Sequence, residues 1–189
     1  MNHGTDAKVI QSAAGPASGP TPDLFPAHHL RVALVEPDIP QNTGNIARLC
    51  AVTGAELHLV RPLGFFISDS RLRRSAMDYW QTLQPIIHDD TIAFEKRLGI
   101  HFHLFSARGC RDLWNVQFSA DDFLVFGSES RGLPAALVEK YAMRTVKIPM
   151  QPGQRCLNVS TSAGIALYEA LRQVASGEKY AAASKIQSL

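Results

Sequence analysis

Four stretches of this chain mix arginine, asparagine, serine and glycine in ways that a folded core does not need. EPDIPQNTGNIARLC (36–50) carries Asn45 and Arg48, three residues apart and therefore on one face of a helix. An amide and a guanidinium near a helix N-terminus suit a phosphate or a ribose. A capped helix with a surface arginine accounts for the same residues. SDSRLRRSAMDYW (68–80) gathers Arg71, Arg73 and Arg74 within four residues, followed by Asp78, Tyr79 and Trp80. Basic residues beside aromatics can track a nucleic-acid backbone and stack bases; a solvated helix face is the alternative. FGSESRGLP (126–134) sets Gly127 and Gly132 around Ser-Glu-Ser-Arg. Glycines there allow close backbone approach or positive φ, as a ligand loop requires. IPMQPGQRCLNVSTSAG (148–164) runs from a strand through a Pro/Gly loop into a Ser/Thr/Asn-rich helix start. Asn158 or Ser160 caps that helix, but capping does not explain the long connection before it.

These stretches must be positioned by regular elements, and the pattern of apolar runs supplies them. Strands are expected at 30–35, 56–60, 85–88, 101–106, 122–127 and 144–150. Helices are expected from a cap at Asn42 or Thr43 to Thr53, with Gly54 as the stop, near 90–98, over 134–142, and over 158–175. Ile46, Leu49, Cys50 and Thr53 follow helical spacing and should face the core. Alternating strands and helices imply an α/β fold with a mostly parallel sheet. Functional groups then gather at the carboxyl ends of the strands, where all four stretches begin or lie nearby.

Residues 1–29 are rich in Ala, Gly, Pro and Ser and read as a flexible leader. Residues 30–175 form the compact domain. Residues 176–189 are a polar C-terminal tail that either extends the last helix or frays. Hydrophobic residues make up 46% of the 189, enough for a core, so the chain as a whole is not disordered. With 19 basic and 17 acidic residues, charge alone does not identify a nucleic-acid partner. Three scattered cysteines without a CxxC argue against a disulfide framework and for a reducing, cytoplasmic setting. No run approaches the roughly 18 apolar residues of a membrane span. The chain lacks GxGxxG, a P-loop, HExxH and GxSxG. His101 and His103 share a strand face without a local cysteine or acidic partner, so no metal site is expected.

The four stretches, in this order and spacing, resemble the SPOUT (SpoU-type) RNA 2′-O-ribose methyltransferases, and among them the minimal branch that modifies the tRNA wobble nucleotide. The resemblance covers roughly residues 30–175. It implies a deep C-terminal trefoil knot added to the α/β sheet, a homodimer, no membrane, and S-adenosyl-L-methionine as methyl donor, leaving S-adenosyl-L-homocysteine, without a metal. By the same resemblance, the cofactor pocket comprises Phe105, Gly127, Glu129, Gly132, Ile148, Met150, Cys156 and Leu157, largely through backbone groups. The catalytic group is Arg48 with Asn45, Asn158 and Ser160. Glu129 is a proton acceptor or cofactor contact. Arg71, Arg73, Arg74, Tyr79 and Arg131 face RNA, in the form of a tRNA anticodon stem-loop. Arg48 acts as a phosphate clamp and stabiliser of alkoxide charge, because a guanidinium stays protonated. Two departures stand out: Trp80 replaces a common histidine, and Cys156 a common serine. A ribosomal-RNA or other-position enzyme of the same chemistry, and a silent RNA-binding knot protein, are the competing readings.

Overall fold

The computed structural model describes residues 25–76 and 78–187, with side chains to Gly177. Seven strands form one sheet: β1 (Arg31–Val35), β2 (Glu56–Val60), β3 (Ile86–His88), β4 (Phe102–Phe105), β5 (Arg111–Asp112), β6 (Phe123–Phe126) and β7 (Thr145–Lys147). Six helices accompany them: α1 (Pro40–Thr53), α2 (Ser70–Ala76), α3 (Tyr79–Leu83), α4 (Thr91–Leu98), α5 (Ala135–Lys140) and α6 (Val159–Gln187). The strand order is β3-β2-β1-β6-β4-β7-β5, and every pairing is parallel. β5 is too short to show in the apolar pattern and is found only through its pairing with β7.

The middle of a parallel sheet is covered on both faces, so β1, β2, β4 and β6 are buried almost from end to end. Val32 and Leu34 point into one core with Leu57, Leu59, Leu124 and Phe126, against Ile46, Ala47 and Cys50 of α1 and Ala163, Ala166, Leu167 and Ala170 of α6. The alternate residues Ala33 and Val35 point into a second core with Phe123, Val125 and Leu104, against Phe94 and Leu98 of α4 and Leu137 of α5. Each fully buried large side chain contributes about 1.5–3 kcal/mol. Thr53 is buried as expected, while Leu49 only packs at the margin of the core.

α1 starts earlier than expected. Pro40 occupies its first position, with its fixed φ and missing N–H suited to a first turn. Asn42 and Thr43 therefore sit inside the helix, buried, rather than capping it. Gly54 ends the helix with φ 78°, the left-handed conformation expected of it. Asn158 does cap α6: its Oδ1 accepts from the Ser160 and Thr161 amides at 2.8 and 3.4 Å. That helix continues through the polar tail to Gln187.

The body also begins before residue 30. Phe25 packs against the first core and edge-on to Tyr168 at 6.3 Å. His28 Nε2 is 2.9 Å from the Thr53 carbonyl, and the His29 amide donates to the Ala120 carbonyl at 2.7 Å. The rest of the expected leader, residues 1–24, lies outside the described residues.

Candidate functional site

β6 is inserted between β1 and β4, and a cleft of about 760 Å³ opens beyond the carboxyl ends of these strands. Its floor is Phe105 and Phe126, the last residues of β4 and β6, stacked with centroids 4.7 Å apart. One wall is the loop after β6. There Gly132 takes φ 73°, and Ser128 and Gly132 exchange backbone hydrogen bonds at 3.1 and 2.9 Å. A Cβ on Gly127 would overlap the Gly132 and Leu133 backbone, so only glycine permits this fold of the loop. The other wall is the segment after β7, with Ile148, Met150, Cys156, Leu157 and Asn158. All eight residues assigned above to a cofactor pocket line this one cleft.

The walls are tied to α1 by a chain of polar contacts. The Glu129 carboxylate accepts from the Asp38 amide at 2.8 Å, the Ile39 amide at 3.3 Å and Asn42 Nδ2 at 2.8 Å. It thus satisfies the two N–H groups just before α1 and a side-chain amide within its first turn, at the helix end where negative charge is favourable. Asn42 Oδ1 in turn accepts from Asn158 Nδ2 at 3.0 Å. Beside them, the Ser130 hydroxyl donates to Asp38 and holds its carboxyl below the ordinary value. Arg131 pairs with Glu36 at 3.1 Å. Asn42, Asp38 and Ser130 are absent from the residues picked out by spacing. The signal for Asn42 was present, an asparagine two residues after a proline that can open a helix, but it reads equally well as a cap.

The catalytic group assigned by resemblance is brought together only in part. Asn158 lines the cleft and Ser160 bonds its Oδ1 at 2.6 Å. Asn45 and Arg48 lie on the exposed side of α1, about 4.5 and 9 Å along its axis from Asn42. Arg48 has no carboxylate partner among the described residues, and its guanidinium lies 6.0 Å from the Tyr79 ring centre. A charged, unpaired guanidinium is available to an anionic ligand.

Arg71, Arg73 and Arg74 are exposed on α2. Arg71 is bound to Asp69 through both guanidinium Nε and Nη2, at 3.2 and 2.9 Å, and Arg73 donates to the Ser68 carbonyl at 2.9 Å. Trp80 does not stand free as a stacking group: it packs, partly buried, against the first core. Cys156 is exposed in the cleft, whereas Cys50 is buried and its thiol is pushed well up by desolvation.

His101 and His103 have an acidic partner after all. The fold places Asp122 3.1 Å from His103 Nε2 and 3.8 Å from His101 Nδ1. His101, Asp121 and Asp122 offer atoms within 4.8 Å of one another. They sit at the amino ends of β4 and β6, opposite the cleft.

The family model described as SpoU rRNA Methylase matches residues 29–168. Over 146 residues the chain is 44% identical to a Burkholderia pseudomallei protein called tRNA (cytidine(34)-2′-O)-methyltransferase, covering 75% of this chain and 94% of that one. A solved structure described as giving structural insights into the 2-OH methylation of C/U34 on tRNA superposes with a TM-score of 0.75 and 44% identity, covering 79% and 98%. The AviRb methyltransferase of Streptomyces viridochromogenes, in complex with the cofactor AdoMet, superposes with a TM-score of 0.67 and 26% identity, covering 84% and 62%.

Proposed function

The chain belongs to the SpoU rRNA methylase family, and we propose that it transfers a methyl group from S-adenosyl-L-methionine to the ribose 2′-hydroxyl of the wobble nucleotide, position 34, of tRNA. The observation that carries this reading is the cleft walled by two chain segments and joined to α1 through Glu129, Asn42 and Asn158. It fits a cofactor held by backbone: the glycine-lined loop brings main-chain groups to the opening, and the stacked phenylalanines provide an apolar floor.

When bound, the cofactor would supply a methyl on a sulfonium and leave as S-adenosyl-L-homocysteine, so the protein's task is to place the 2′-oxygen in line with that methyl while the hydroxyl proton passes to solvent water. Asn158, fixed by Asn42 and by its own capping bonds, orients the ribose with Ser160. Arg48 holds the phosphate next to the target and stabilises charge developing on the 2′-oxygen. Glu129 contributes by fixing the start of α1 rather than as proton acceptor, since its oxygens already accept from two backbone amides and Asn42. Arg73, Arg74, Tyr79 and Arg131 contact the anticodon stem-loop, with Arg71 braced by Asp69.

The trefoil knot belongs to the same reading, with the segment 148–158 passing through the fold to reach the cleft. So does a homodimer, for which exposed Val52 on α1 and Tyr168 on α6 are available apolar contacts. Among the described residues no helix is long and apolar enough to cross a membrane. A reducing cytoplasm with free cysteines is the setting implied.

The test is incubation with labelled S-adenosylmethionine and bulk tRNA, followed by mass-spectrometric mapping. A 2′-O-methylated nucleotide 34 is expected. Transfer to ribosomal RNA alone would move the protein to another substrate; cofactor binding with no transfer to either RNA would leave a non-catalytic binder.

A further inference from the structure

At the same end of the sheet as the cofactor cleft lies a second groove of about 580 Å³, formed by residues 61–63 and 65–68 and by Asp89. Arg61 directly follows β2, and Asp89 directly follows β3. With neighbouring strands about 4.8 Å apart, β2 is about 10 Å and β3 about 15 Å from β6. The groove therefore opens roughly 10–15 Å from the strand that floors the cleft, within reach of an RNA segment lying across both. Its loop is also joined to the site: the Gly64 amide donates to the Pro37 carbonyl at 2.9 Å, next to Asp38, which Glu129 and Ser130 hold.

At the tip of this loop Phe66 is 83% exposed. A bare phenylalanine ring gives up burial that would stabilise it by about 1.5–3 kcal/mol. The loop beneath it is fixed. Leu63 packs against the first core, the Asp69 amide donates to the Phe66 carbonyl at 2.8 Å, and Arg73 holds the Ser68 carbonyl. Arg61 and Asp89 are the charged residues lining the groove, and across the adjoining loop and α2 the exposed Arg61, Arg71, Arg73 and Arg74 stand against Asp69 and Asp89, an excess of positive charge.

We propose that Phe66 is a stacking platform for the base of a nucleotide neighbouring the methylated one, with Arg61 on the intervening phosphate. An aromatic face with flanking arginines takes a splayed base in this way. The inference rests on the RNA-methyltransferase reading.

The experiment uses the full chain and a synthetic anticodon stem-loop carrying 2-aminopurine next to position 34. Binding to the unaltered protein should quench or shift the probe's fluorescence. Phe66→Ala should abolish that change and raise the KM for RNA about five- to a hundredfold, with kcat at saturating RNA and cofactor affinity within twofold. Phe66→Trp should restore both. Because the ring is exposed, Phe66→Ala has no reason to unfold. Unchanged KM and unchanged fluorescence in Phe66→Ala would overturn the proposal, as would a change in sedimentation showing that Phe66 contacts a second copy of the chain. The fluorescence arm needs no turnover. Absent methylation with an intact probe response would count against the function proposed above and leave the platform standing.

Discussion

Asn42 joins residues 87 and 116 positions away, Glu129 and Asn158, into one polar chain. Both of its amide ends are used, so no other side chain of similar size replaces it: aspartate would set a second carboxylate against Glu129. Asn42→Ala should lower stability by about 1–2 kcal/mol, from the unpaired partners it leaves, and weaken S-adenosylmethionine binding. Thermal melting and calorimetric titration read the two effects. Arg48 differs in kind. It is exposed and unpaired among the described residues, so its loss should cost little structure. Arg48→Ala is expected to cut methyl transfer by at least a hundredfold while cofactor affinity stays within twofold; loss of cofactor binding in a folded protein would contradict the role given to it. The cysteines divide by exposure. In native protein a thiol reagent should modify Cys110 and Cys156 but not buried Cys50, and S-adenosylmethionine should protect Cys156 alone, as peptide mapping of the labelled protein would show.

The loop after β6 depends on two glycines in different ways. Gly132 supplies a left-handed φ, and Gly127 supplies room against the Gly132 backbone. Gly127→Ala should force the loop open, reducing cofactor affinity more than tenfold at a stability cost of about 1–3 kcal/mol; binding calorimetry with an intact circular-dichroism spectrum would establish it. Elsewhere the elements follow their sequence signals closely. Apolar runs became strands because both sheet faces are covered, and α1 ends at Gly54 as its φ of 78° requires. At the start of α1 the local signals compete: Asn42 and Thr43 are good caps, and Pro40 is a good first residue. Local chemistry allows either, and the Glu129 carboxylate, arriving from a distant loop, favours the earlier start. Trp80 likewise reads as a free aromatic until the packing of α3 turns it toward the core.

At the scale of the whole molecule, the sheet carries a buried histidine pair at its β2–β3 edge. His58 Nδ1 and His88 Nε2 are 2.9 Å apart and the rings stack at 5.2 Å. Burial pushes His58 down to about 4, with Glu56 opposing and His88 and Arg31 reinforcing. His88 is lowered too, again mainly by burial. Unfolded histidine binds a proton near pH 6.5, so between about 6.5 and 4 the unfolded chain holds more protons than the folded one. Stability should fall over that window as the pH drops, by roughly 3 kcal/mol from His58, and His58→Gln should flatten the slope in pH-dependent melting. The proposed dimer predicts a sedimenting mass twice the 20.7 kDa of one chain. By itself, the sequence determined the α/β class, most element positions and the four chemistry-bearing stretches, since these depend on apolar periodicity and on glycine, proline and capping residues acting within a few positions. Only the tertiary structure decided that Glu129 braces α1, that Asn42 is its partner, that Asp122 meets His101 and His103, and that Phe66 stands bare beside the cleft. Each of those depends on which strand the chain inserts between which others, and long-range contacts of that kind leave no local periodicity to read.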